Sequence, residues 1–156
     1  SGEWDVLWDA CQEADVTVSM HIGSSSSMPT TSPDAPLATS MSLYAQNAEG
    51  SFVDWVFSGT LQRFPSIKIA YAESQVGWMP FQLERMDSVF KEGRGGVGGA
   101  GPLPSEIAKG RIYGCIFDDL VGLKPVKDRV AQIAVRAHRR AYSGSSNDGG
   151  SNHATP

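Results

Sequence analysis

Apolar and polar positions change period several times along this chain. Trp4, Leu7, Trp8, Cys11 and Ala14 recur at helical spacing, with Glu3, Asp5, Asp9 and Glu13 between them. The spacing predicts a helix with one buried stripe, ending near Asp15. Val16-Thr-Val-Ser-Met-His21 follows with the β-branched run of a short buried strand, and Gly23 frees the backbone just after His21. Residues 23–36 are rich in serine and proline. Directly after a strand, so long a loop reads as a binding loop. A second helix is expected from about Ser42 to Phe64, with Phe52, Val53, Val56, Phe57, Thr60 and Leu61 on its apolar face and Pro65 as its stop. Ile67 to Ala72 predicts a second strand, and residues 73–77 form the loop at its carboxyl end. A third helix starts near Trp78, aligns Met79, Leu83, Met86 and Phe90, and sets Asp87 and Lys91 as a surface pair. The glycine-dense stretch from Gly93 to Gly101 reads as a flexible linker. A helical turn near Pro104 to Lys109 leads into a third strand, Arg111 to Phe117, which ends in Asp118-Asp119.

Strands alternating with helices argue for a parallel sheet with right-handed crossovers. All three strands place their reactive residues at the carboxyl end: His21, Glu73, and Asp118 with Asp119. A (β/α) barrel builds its active site at that face. With 156 residues, 40% of them hydrophobic and 19% charged, the chain is large enough for one ordinary domain or a piece of a larger one.

Charge divides the chain. Residues 1–123 hold 15 acidic and 7 basic side chains, a net of −8; residues 124–156 hold 2 acidic and 6 basic, a net of +4. In the second part Val126, Val130, Ile133 and Ala137 take helical spacing among Lys127, Arg129, Arg136, Arg139 and Arg140. This predicts a basic helix over 124–142 with a solvated face, divergent from the rest. Its Arg/Ala/His/Ser/Gly-rich composition is also what a GC-rich gene gives out of frame. Residues 143–156 are low in complexity and expected to be disordered. No nucleic-acid partner is expected. No membrane partner is expected either, because no apolar run approaches the roughly 20 residues of a membrane helix. The opening residues carry acids rather than a basic start and an apolar block, so no signal peptide is expected. Cys11 and Cys115, far apart in apolar surroundings, read as reduced thiols of a cytoplasmic protein.

One histidine and several carboxylates at one mouth suit a divalent metal with a general acid or base. His21 is the candidate metal ligand, since neutral imidazole is the commonest protein ligand. Glu73 and Asp119 are the candidate catalytic carboxylates. Glu73 could instead pair with a cation such as Arg111, and one of Asp118 and Asp119 with a helix N-terminus. Ser24 and Ser25 could donate hydrogen bonds to substrate, with Gln75 in the next loop. Trp78, Met28 and Tyr44 could line a pocket or simply be core. His138 and His153 are assigned no role.

The run His21-Ile-Gly-Ser-Ser25, the segment Val53-Asp-Trp-Val-Phe-Ser-Gly59, the long run from Phe64-Pro-Ser-Ile-Lys-Ile-Ala-Tyr-Ala-Glu73 to Asp87, and Tyr113-Gly-Cys-Ile-Phe-Asp-Asp119 resemble the amidohydrolase-related metal-dependent hydrolases. The branch in question includes the aminocarboxymuconate-semialdehyde and resorcylate decarboxylases. The resemblance covers about residues 3 to 123, with several motifs in the right order. It implies a (β/α)8 barrel binding zinc or a similar divalent ion such as manganese. His21 would be the metal ligand on the fifth strand, and the strand ending at Ala72 the sixth. Glu73 stands where many members carry a catalytic histidine. The family's first-strand His-x-His pair and last-strand Asp have no counterpart here: the chain begins too late for the one, and nothing of the other's form follows Gly122.

The expected fold is therefore α/β, a partial TIM (β/α)8 barrel of about strands five to seven over residues 1–123, plus the divergent helix and tail. The expected activity is that of a metal-dependent hydrolase or non-oxidative decarboxylase acting on small cyclic or aromatic carboxylates, amides or lactones. The remaining metal ligands are expected to lie outside this sequence, so the chain alone is expected to be inactive. Exposed strand edges point to self-association as a homo-oligomer. The alternative is a non-catalytic α/β domain whose serine-rich loop binds a ligand or partner.

Overall fold

The computed structural model describes residues 2–22, 27–96, 101–116 and 119–123, and the backbone of 135–137. After a 3-10 turn at Gly2–Trp4, helix α1 (Asp5–Glu13) leads into strand β1 (Thr17–His21). Helices α2 (Leu37–Ser42), α3 (Ala45–Phe57) and α4 (Thr60–Arg63) precede β2 (Lys68–Ala72). Helices α5 (Met79–Lys91) and α6 (Pro104–Ala108) precede β3 (Ile112–Ile116), and β4 (Val135–Ala137) is the last element among the described residues. The protein is mixed α/β, with all strand pairs parallel and the sheet in chain order β1-β2-β3-β4.

Parallel register aligns Val18 with Ile69 and Met20 with Tyr71, then Ile69 with Ile112 and Tyr71 with Gly114. Because side chains alternate along a strand, these residues share one face. There they join Phe52 and Val56 of α3, Met79 and Met86 of α5, and Ile107 of α6 in one core. Gly114 is required by this packing. A Cβ at that position would collide with the Val76 side chain and come within 3.1 Å of Met79 Cε. On the other face Thr17, Ser19 and His21 of β1 are exposed, and Lys68, Ala70, Ala72, Tyr113 and Cys115 are half-buried. Helices α3, α5 and α6 thus pack on one side of the sheet.

Several expectations are corrected. β1 is no buried strand: its residues alternate between exposed and half-buried, and among the described residues it pairs with β2 on one side only. Helix α1 buries none of its residues. Its Trp8 ring meets Trp55 edge-on at 4.9 Å, while Trp4, Val6 and Leu7 remain exposed. The single helix expected from Ser42 to Phe64 is three helices beginning at Leu37. The break between α3 and α4 falls at Gly59, whose φ of +75° is left-handed and incompatible with continuing a right-handed helix. Asp87 does not serve Lys91. Its carboxylate accepts the Ser105 backbone N–H at 2.9 Å and the Ser105 hydroxyl at 2.7 Å, tying α5 to the start of α6.

The basic helix expected over 124–142 is also corrected where it is described. Residues 135–137 form a strand paired with Gly114–Ile116, so Ala137 is not on a helix. The open edge of β3 offers unpaired backbone groups, and pairing them overrides a weak helical period. The rest of that segment, the tail over 143–156 and the end of the glycine linker lie outside the described residues. Among the described residues, no helix is long and apolar enough to cross a membrane. Cys11 and Cys115 are free and half-buried.

Candidate functional site

Two strand ends meet at the candidate site. His21 closes β1 and lies opposite Ala72 in the register, so Glu73 is the next residue on the neighbouring strand. The chain turns sharply there. Glu73 and Gln75 both take left-handed backbone, with φ of +56° and +61°. For residues with a Cβ this conformation is strained, and such strain gathers at functional turns. The turn brings the Glu73 Oε2 atom 3.4 Å from His21 Nε2, with both side chains more than half exposed.

The other imidazole nitrogen fixes the chemistry of this pair. His21 Nδ1 lies 2.6 Å from the Ile22 carbonyl oxygen, which can only accept, so Nδ1 carries the proton. In the neutral ring Nε2 then presents a lone pair toward Glu73. Two acceptors facing one another need a cation between or beside them, either a proton or a metal ion. A backbone carbonyl on the far nitrogen is the usual support of a metal-binding histidine. Two ligands at about 2.0–2.2 Å from a tetrahedral ion lie about 3.4 Å apart, which is the spacing found. Among the described residues, no group of three or more His, Cys, Asp or Glu side chains is gathered as a metal centre.

The Asp119 carboxylate is held by backbone donors. Its Oδ2 accepts the backbone N–H groups of Val76 at 2.9 Å and Gly77 at 2.6 Å, and its Oδ1 accepts that of Gly122 at 2.7 Å. The last of these caps the helical residues 120–123. Burial raises the Asp119 carboxyl, but the three N–H donors together outweigh it and hold its pKa below the ordinary aspartate value. The side chain clamps the loop after β2 to the segment after β3. Gly77 and Gly122 lie against it so closely that a Cβ on Gly122 would collide with the carboxylate.

Trp78 packs edge-on against Phe52 at 5.5 Å and Tyr71 at 6.2 Å, and its indole N–H donates to the Ser74 carbonyl at 2.8 Å. These are the contacts of a core side chain that also anchors the Glu73 loop. Gln75 is half-buried within that loop. Arg111 donates to the Leu61 carbonyl, so the alternative pairing with Glu73 is not formed. Ser24, Ser25 and Asp118 lie outside the described residues. Met28 is exposed, and Tyr44 is half-buried beside the start of α3.

One further feature escaped the sequence reading. An open cleft of about 410 Å³ runs between α3 and β1, and His21 stands at its rim. Its walls include Gln46, Asn47, Ser51 and Asp54, which in sequence look only like the solvated side of a helix. No protein-family model matches this chain, and no curated protein matches it in sequence.

Proposed function

We propose that this chain carries one wall of the active site of a metal-dependent hydrolase or non-oxidative decarboxylase. The observation behind the reading is the His21–Glu73 pair, with Nε2 and Oε2 3.4 Å apart and Nδ1 committed to the Ile22 carbonyl. His21 would hold a divalent ion, zinc or manganese, through Nε2. Glu73 would serve as a second ligand or as the base that takes a proton. When bound, the ion would polarise a substrate carbonyl or carboxylate, or activate water. The substrates would be small cyclic or aromatic carboxylates, amides or lactones. Support for an arc of a (β/α) barrel comes from the sheet: parallel strands in chain order, helices on one side, and Ser19, Ala70 and Ala72 leaving room on the other.

Zinc titration of the purified chain by calorimetry tests this. Weak binding is expected, as two ligands give, lost in His21→Ala and reduced in Glu73→Gln. Unchanged zinc affinity in His21→Ala would overturn the reading and favour the non-catalytic ligand-binding domain. Stoichiometric tight zinc with brisk turnover would refute the expectation that the chain alone is inactive.

A further inference from the structure

The sheet ends in two unlike edges. At one, Thr17, Ser19 and His21 of β1 are exposed, and among the described residues β1 pairs with β2 alone. At the other, β4 pairs with β3. The alternation of a parallel ladder fixes which backbone groups face outward. The Ile69 N–H donates to the Arg111 carbonyl on β3, so Ala70 turns its backbone groups toward β1, where Val18 and Met20 meet them. Ser19 then directs its N–H and carbonyl away from the sheet. The same alternation turns the Arg136 backbone toward β3 and the backbone groups of Val135 and Ala137 outward.

Charge and apolar surface make the two edges complementary. Helix α1 ends against the start of β1, where the Val16 N–H donates to the Cys11 carbonyl at 2.8 Å. Residues 1–16 hold Glu3, Asp5, Asp9, Glu13 and Asp15 and no lysine or arginine. Asp5 and Asp15 face Arg63 and Lys68, while Asp9 and Glu13 stand exposed on α1. The sequence around β4 has the opposite sign: residues 124–142 hold Lys124, Lys127, Arg129, Arg136, Arg139 and Arg140 against Asp128. Helix α1 also leaves Val6 and Leu7 exposed. A crossover helix rests across the two strands it lies between, and α1 has β1 for one of them. A further parallel strand beyond β1 is what would cover its apolar residues.

We infer that a second copy of this chain covers these edges, the β4 edge of each copy pairing in parallel with the β1 edge of the other. Such a head-to-tail contact keeps every strand parallel and sets the basic segment of one copy beside the acidic helix of its partner. Two four-stranded arcs make eight parallel strands, the number at which a sheet with helices outside closes into a barrel. A head-to-tail contact that closes on itself stops growing, here at two copies. The dimer rests on the arc reading of the sheet given above and needs no metal.

Sedimentation velocity of the full chain, with a metal chelator present, is expected to reach a plateau at twice the mass of one chain. Ser19→Pro and Ala137→Pro each remove one outward N–H and spare the ladder within the copy. Each alone is expected to be monomeric, with circular dichroism checking that it folds. Their equimolar mixture is expected to form a heterodimer, because the β4 edge of Ser19→Pro and the β1 edge of Ala137→Pro remain intact. Asp9→Lys with Glu13→Lys leaves every strand unchanged and is expected to weaken the dimer about tenfold or more, most at low salt. Growth past two copies, proline variants that still dimerise, a mixture no more associated than its parts, or an unchanged dimer in the double lysine variant would overturn the inference. A wild-type monomer at every concentration would overturn it too, and if that monomer binds zinc through His21 the metal reading stands.

Discussion

The Asp119 carboxylate sits 2.6 Å from the Gly77 backbone nitrogen, joining two loops that are 42 residues apart in the chain. Together with the Val76 and Gly122 donors, this makes Asp119 the fastener of the strand-end loops. Asp119→Ala is expected to cost about 2–4 kcal/mol, because three backbone donors lose a charged acceptor. Asp119→Asn keeps one oxygen and should fall between. Urea denaturation at neutral pH measures both.

The same residue sets an acid dependence. Its folded-state pKa lies below the unfolded value. Its stabilisation is therefore complete above the ordinary aspartate pKa, about 4, and is lost as pH falls through the lower folded value. Wild-type stability should drop over that acid range, and the drop should be smaller in Asp119→Asn.

Tyr71 works in the opposite direction. Burial pushes its phenol far above the ordinary value; the Ser51 hydrogen bond opposes this, and Asp54 adds to it. A raised folded-state pKa gives stability that is whole below the unfolded tyrosine value, about 10, and declines as pH rises toward the folded one. Tyr71→Phe should cost about 1 kcal/mol at pH 7 through the lost hydrogen bond. Its alkaline unfolding, followed by circular dichroism, should in turn be less steep than that of the wild type.

Backbone strain at the site can be removed selectively. Gln75→Gly relieves a left-handed residue and should raise stability by about 0.5–1 kcal/mol in urea denaturation. Glu73→Gly offers the same relief but deletes the carboxylate opposite His21. Zinc affinity should therefore fall in Glu73→Gly and hold in Gln75→Gly.

The exposed edge of β1 and the exposed side chains of Val6 and Leu7 predict self-association. Light scattering should show mass rising with concentration. A monomer across the whole accessible range would contradict the prediction.

Much of the architecture was legible because period and punctuation agreed. Met79, Leu83 and Met86 mark α5, and the β-branched and aromatic residues before Ala72 mark β2. Gly59 was visible as a weak point in a helix, but its left-handed φ came only from how α4 turns back toward the core. β4 was not legible, since its pairing depends on an open edge of β3 that no local pattern records. At the site, His21 and Glu73 were each readable as strand-end residues. Their pairing needed the register between strands 46 residues apart. For Asp119 both roles were open in the sequence, and the three backbone donors it accepts are those of a cap and clamp. Asp54 and Ser51 were hidden because a cleft wall on a helix has the same composition as a wet surface.

His21 stands opposite Ala72, one residue before Glu73, and a strand has only two sides. Sliding β1 by one position would put the Met20 thioether where the imidazole stands and turn an apolar side chain toward water. The separation of ring and carboxylate is thus a built-in gauge of alignment: whatever chemistry it supports, a spectroscopic probe of that pair reports whether the first two ribbons have zipped up in phase.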